Sequence, residues 1–389
     1  MKRRIGFLVS HPIQYYAPIF RELARRCDLT VFFAHRQDAS AQARAGYGVA
    51  FDWDVDLVSG YESHFLKNMA RTPSTQTFAG CNTPEIADRI PAGRFDAFVV
   101  PGWSLRSYWQ AVRACRHARI PVMVRGDSQL AGQRAGVVGL VKSAIFPHML
   151  KQFDACLYVG QRNREYLENY GVPSRRLFFS PHCVDNDAFE QASAAAREAS
   201  GQGRAGSRRR VLFVGRLVQS KRPMDLVQAA ARLAARGEAV ELAIAGAGEL
   251  QAPMEEAARA GGIEARFLGF VNQSRLPAVY ASSDVLVLPS IAVETWGLVV
   301  NEAMACGVPA VVSDAVGCGP DLVQPGVTGA VAPLGDVPGL AAAIASVLAL
   351  DPGTTRRALS ERMATYSPAR AAEGILEAAD TLAAASRLR

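Results

Sequence analysis

The sequence predicts an α/β protein made of two Rossmann-like, doubly wound parallel-sheet domains. Short apolar runs of strand length alternate with helical stretches from one end to the other, the pattern of parallel βαβ units. The 389 residues also exceed what a single hydrophobic core normally holds. A third observation is a break in the pattern: positions 190–210 carry Ala, Ser, Gly and Arg with no apolar periodicity.

In the first half, strands are expected at Ile5–Val9, Leu29–Ala34, Asp96–Val100, Val122–Val124, Ala155–Val159 and Leu177–Ser180. In the second half they are expected at Val211–Val214, Val240–Ala245, Arg266–Leu268, Val285–Leu288 and Ala310–Ser313. The break gives a first domain over 1–190, a linker over 191–210 that is partly helical across its alanines, and a second domain over 211–367. A terminal helix over 368–389 is expected to pack back on the first domain.

Composition narrows the function classes. Hydrophobic residues make up 49% and charged residues 20%, the balance of a soluble globular enzyme. The net charge of +7 suits an anionic partner, which includes a phosphorylated ligand, an acidic membrane surface and nucleic acid. No stripe of Lys and Arg interleaved with aromatics supports the last, so no nucleic-acid partner is expected. The seven cysteines are scattered, odd in number and free of CxxC spacing, which reads as reduced thiols in a cytoplasmic protein with no metal site. Met1–Arg4 is basic, but the apolar run Ile5–Val9 is too short for a signal sequence. No run approaches the ~20 apolar residues that cross a bilayer.

The most informative segment is Glu294-Thr295-Trp296-Gly297-Leu298-Val299-Val300-Asn301-Glu302. It follows a strand and opens a helix that Gly307 and Pro309 end, so its two carboxylates stand at a strand-to-helix junction. Helix N-termini at such junctions offer free N–H groups to an anion. Glu302 is placed to accept hydrogen bonds from a ribose diol, and Glu294 to face a sugar. On spacing alone, two glutamates eight positions apart more often solvate a helix face. Upstream, Val211–Val214 runs into Gly215-Arg216 and then Lys221, two cations on another strand-to-helix loop. They suit the developing charge of a pyrophosphate leaving group, or form a solvated basic loop. Gly246-Ala247-Gly248-Glu249 either lets backbone approach a ligand or makes a tight turn; Gly269-Phe270 either meets a base or turns the chain.

In order and spacing, these pieces over Val211–Val331 resemble the carboxyl-terminal domain of family 4 glycosyltransferases, which are retaining enzymes of the GT-B fold. The resemblance implies two domains facing across a cleft, the first on the acceptor side and the second binding a nucleotide sugar. It implies that Gly215, Arg216 and Lys221 bind the donor diphosphate, that Thr295, Trp296, Gly297 and Leu298 bring backbone to the phosphates, and that Gly269 and Phe270 lie near the base. Glu302 would hold the ribose and Glu294 the transferred sugar, with Arg216, Lys221 and Glu294 nearest the chemistry. No metal and no cofactor are expected, because the two cations do a metal's work. Expected partners are the nucleotide-sugar donor and a glycan or lipid-linked acceptor, as in cell-surface polysaccharide biosynthesis. Rival readings are a GT-B epimerase or phosphorylase, or a non-catalytic glycan-binding subunit.

In the first half, His11 and Gln14 follow the first strand, and Arg125 and Asp127 follow Val122–Val124. All four are expected on the acceptor or sugar side, although a histidine in a turn is as often structural. The family's histidine near Arg125 is absent here. Trp53, Trp103 and Tyr158 offer stacking to an acceptor or belong to the core. Asp52-Trp53-Asp54 mimics a metal-holding DxD and is discounted. His182 lies in a turn read first as structural. Val137–Leu150, flanked by Arg134 and Lys151, reads as a buried helix or as a peripheral contact with the inner face of the cell membrane.

Overall fold

A computed structural model of the chain describes residues 2–37, 51–131, 137–200 and 208–387. The chain divides into two compact units. The first comprises Met1–Asp38, Asp56–His182 and Ser367–Arg389; the second comprises Ala39–Val55 and Cys183–Tyr366.

The first unit is built on seven strands: β1 Arg4–Val9, β2 Asp28–Phe33, β3 Glu62–Phe65, β4 Ala97–Val100, β5 Val122–Gly126, β6 Ala155–Tyr158 and β7 Leu177–Phe179. They pair in parallel in the order β3-β2-β1-β4-β5-β6-β7. The second unit has β8 Arg209–Val214, β9 Val240–Ala245, β10 Glu264–Gly269, β11 Val285–Leu288, β12 Ala310–Ser313 and β13 Gly329–Ala332. Their order, β10-β9-β8-β11-β12-β13, is also parallel throughout. Strands β9, β11 and β12 are buried along their whole length, as helices on both faces of a parallel sheet require. In each sheet the winding reverses direction beside its first strand, so the second unit has its switch point between β8 and β11.

Two strands have no counterpart in the sequence expectation. Both are edge strands: β3 alternates exposed and half-buried residues, and β13 is Gly-Ala-Val-Ala, so neither carries a strong apolar run. The division between the units falls between His182 and Cys183, and the helix Asn186–Ala199, which takes in the alanines of the expected linker, lies in the second unit. Asp185 caps it by accepting from Ala188 N at 3.2 Å, Phe189 and Ser193 are buried, and Arg197 donates to Cys306 O. Alanines supply the helix propensity and Phe189 the tertiary anchor. Positions 201–207 of the expected linker lie outside the described residues.

The terminal helix Pro368–Arg387 belongs to the first unit, where it packs on the helix Ala17–Arg26 and on β7. Ala371, Ala372 and Ile375 are fully buried, and Ser180 Oγ donates to Ala371 O at 3.0 Å. At its far end Asp380 accepts from Arg3 Nε at 2.6 Å.

At the carboxyl edge of the second sheet, neighbouring loops touch through backbone alone. Gly215 N donates to Ala245 O at 3.0 Å, Leu217 N to Ala247 O at 2.9 Å, and Gly246 N to Gly269 O at 2.8 Å. A Cβ at Gly246 would stand 1.8 Å from Gly215 O. The glycine loop after β9 therefore serves the close approach of two protein loops. Gly246→Ala should cost about 3 kcal/mol of stability, since the clash is with backbone that cannot swing aside; urea unfolding at neutral pH that returns the wild-type midpoint would refute this contact.

Candidate donor site on the second unit

Strand β8 ends at Val214, and Gly215 and Arg216 follow, with Arg216 exposed. Leu217 is fully buried and anchors the loop. A short 3-10 turn, Gln219–Lys221, then carries Lys221 across to the loop after β11, where its ammonium donates to the Glu294 carboxylate. Backbone joins the same two loops, because Ile291 N donates to Ser220 O at 3.0 Å. Both side chains of the pair are mostly buried, with 20% of Lys221 and 15% of Glu294 exposed. Removing either would leave a poorly solvated charge behind. The neighbouring cation, Arg222, is engaged with Asp225 at 2.7 Å and 3.1 Å and is thereby committed to the fold.

The Glu294 loop is held from its other side by the turn after β12. Gly317 N donates to Glu294 O at 3.0 Å and Cys318 N to Trp296 O at 2.9 Å. A Cβ at Gly317 would sit 1.8 Å from Thr295 O, so only glycine permits this approach. Gly297, in left-handed backbone, then turns the chain into the helix Leu298–Ala305. Val300 N donates to Gly297 O at 2.9 Å, and the start of the helix carries its positive dipole end. Trp296 turns its side chain inward: its indole donates to Asn301 Oδ1 at 2.7 Å, and its ring lies 6.0 Å from Tyr366.

Glu302 lies on the second turn, 8% exposed, and accepts from the Tyr280 hydroxyl at 2.7 Å. Burial pushes its carboxyl up to about 7, and the Tyr280 hydrogen bond works against that rise. Tyr280, Asn301 and Gly317 escaped the sequence argument. Tyr280 acts through a partner 22 positions away and Gly317 through the absence of a Cβ, neither of which leaves a local signature.

In the first unit, His11 and Gln14 lie in the turns after β1, and Arg125 and Asp127 at the end of β5. His11 Nδ1 lies 2.9 Å from Ser10 Oγ. Burial, reinforced by His35, lowers its pKa to about 4, so it is neutral at physiological pH. Arg125 is fully buried, with Nε donating to Ser180 Oγ at 3.1 Å and Nη2 to Pro181 O at 2.7 Å. Its guanidinium lies 5.2 Å from the centre of the Tyr16 ring. These bonds tie it to the Ser180–Pro181 turn, while its buried Nη1 has no hydrogen-bond partner among the described residues. Asp127 is 45% exposed and lies 3.8 Å from His182 Nε2, and Tyr15 meets the His182 ring edge-on at 5.4 Å. A histidine thus stands beside the end of β5 after all, delivered from the turn after β7.

Because Glu302 has its folded pKa above the ordinary carboxyl value, the fold gains from its protonation. That advantage is complete below about pH 4.5 and is lost as pH rises towards 7. Glu302→Gln cannot ionise, so its stability relative to wild type should rise by on the order of 3 kcal/mol between pH 4.5 and pH 8. Urea unfolding at both pH values reads this, and a constant difference would mean an ordinary carboxyl.

Residues 196–368 match the family described as glycosyl transferases group 1. The D-inositol 3-phosphate glycosyltransferase of Mycobacterium sp. (strain KMS) is 41% identical over 188 residues, 47% of this chain and 42% of that protein. The alpha-D-kanosaminyltransferase of Streptomyces kanamyceticus is 32% identical over 238 residues, 60% of this chain and 59% of that protein. The chain spans about half the length of these curated relatives. Among solved structures, Anabaena Alr3699/HepE in complex with UDP and glucose has a TM-score of 0.67 at 17% identity, covering 96% of this chain and 98% of that one. The chain thus has the GT-B fold, and its second unit carries the segment that matches group 1 glycosyl transferases.

Proposed function

We propose that the protein is a retaining glycosyltransferase of the family 4 type. It would move a sugar from a nucleoside diphosphate to a hydroxyl of a glycan or lipid-linked acceptor, in cell-surface polysaccharide biosynthesis. The carrying observation is that Lys221, Glu294 and the start of the helix Leu298–Ala305 meet beside the switch point between β8 and β11. An anionic diphosphate there would find an ammonium, the exposed Arg216 and the positive dipole end of the helix, which together would supply the compensating charge without a metal.

As the bond between the sugar's anomeric carbon and the diphosphate oxygen breaks, its electron pair leaves with the diphosphate. The acceptor oxygen bonds to the anomeric carbon on the same face, and its proton passes to the departing phosphate. Glu302 accepts from the ribose hydroxyls, and Glu294, released from Lys221, takes those of the sugar. A neighbour solved with UDP and glucose and relatives named as glycosyltransferases support this donor class.

The net charge of +7 supports an acceptor side near anionic lipid on the inner face of the cell membrane, with the protein itself cytoplasmic. Among the described residues no single helix is long and apolar enough to cross a membrane.

A panel of UDP, GDP and ADP sugars, scored by calorimetry and assayed with EDTA present, identifies the donor. With that donor, Lys221→Ala and Glu302→Ala should each lower kcat/KM by about 2 kcal/mol or more. Wild-type turnover in both removes them from the site, and an inverted product by NMR defeats the retaining assignment. On vesicles rich in anionic lipid the protein should co-sediment at low salt and detach at high salt; a supernatant protein at low salt ends the membrane proposal.

A further inference from the structure

The chain leaves the first sheet after β2 and, before entering β3, lends a short segment to the second unit. Phe51–Asp54 lies along the loop that follows β10. The Phe51 ring sits 4.3 Å from the Phe270 ring with the planes 35° apart, and Trp53 stands edge-on to Phe51 at 4.9 Å. Asn272 Nδ2 donates to Asp52 O at 2.8 Å, and Ser274 donates to the Asp54 carboxylate through its backbone N at 3.0 Å and through its hydroxyl. Both aspartates of the DxD look-alike are thereby used as anchors, one through its carbonyl and one through its side chain. Trp53, an acceptor-stacking candidate by sequence, is instead placed on the second unit.

The location of this strap gives it a meaning beyond anchoring. Strand β10 lies two places from β8, about 10 Å at the usual spacing of neighbouring strands. With a diphosphate at the β8 and β11 loops, that span is filled by a nucleoside. Phe51 is buried, whereas Trp53 and Phe270 are half-buried. Half-buried rings held by a fixed third ring make a stacking platform, and every nucleobase offers a π face to it.

We propose that the Phe51–Asp54 strap completes the nucleobase subsite of the donor, with Phe51 fixing the Phe270 ring and Trp53 presenting its own ring to the base. This rests on the second unit being the donor-binding unit. Stacking supplies affinity for any base, and the backbone of Gly269 and Phe270 selects among them.

The test is calorimetric titration of the full chain, as wild type, Trp53→Ala and Asp54→Ala, with UDP, GDP, ADP and inorganic pyrophosphate. Both variants should bind the preferred nucleoside diphosphate about tenfold more weakly. Their pyrophosphate affinity should match wild type, which also shows that the phosphate loops remain folded. Trp53→Phe, which keeps a ring face, should recover most of the loss. Unchanged nucleotide affinity in both alanine variants, or an equal loss towards pyrophosphate, overturns the proposal. A wild-type protein that binds pyrophosphate but none of the three nucleotides defeats the donor assignment itself, and the strap's role with it.

Discussion

The candidate donor site depends on one packing constraint, the approach of loop backbones to within hydrogen-bonding distance along the carboxyl edge of the second sheet. The loops after β8, β9 and β10 are stitched N–H to carbonyl, and the turn after β12 is stitched in the same way to the Glu294 loop. Such contacts leave no room for a Cβ at Gly246 or Gly317. In return, side chains projecting from separate loops acquire a common reference frame. The Lys221 ammonium reaches the Glu294 carboxylate because the backbones of Ser220 and Ile291 are already joined. Preorganisation of this sort is what allows charges on flexible stems to act together.

Electrostatics at the site follows from how deeply each group is set. Lys221 and Glu294 neutralise one another in a poorly hydrated place, so the ammonium is already oriented, and on the proposed function a diphosphate would compete with the carboxylate for it. Glu302 lies deeper still, with a tyrosine hydroxyl as its hydrogen-bond donor, and burial holds its carboxyl near neutrality. On the proposed function, a ribose diol would bring hydroxyls to such a carboxyl without adding charge. In the first unit the buried guanidinium of Arg125 ties β5 to the turn after β7, which puts His182 beside Asp127.

Much of this was legible in the primary structure because the signals are local. Buried parallel strands are mostly apolar, and β9, β11 and β12 have the bounds expected from the sequence. The edge strands β3 and β13 were not legible, since a strand covered on one side needs no such run. The aperiodic, alanine-rich start of 190–210 joins a helix that begins at Asn186, and only the burial of Phe189 and Ser193 shows what anchors it to the second unit. Arg125 stands at a strand end, and only the structure shows its guanidinium fully buried against the Ser180–Pro181 turn.

The sequence by itself determined the α/β class, the two-sheet architecture, and the presence of Arg216, Lys221, Glu294 and Glu302 at strand-to-helix junctions. Periodicity and junction chemistry depend on residues within a few positions of one another. Tertiary structure alone decided the pairing of Lys221 with Glu294, the Tyr280 hydroxyl on Glu302, and the transfer of Phe51–Asp54 to the second unit. These contacts join residues 22 to 220 positions apart, where only the close packing of folded loops brings the groups together.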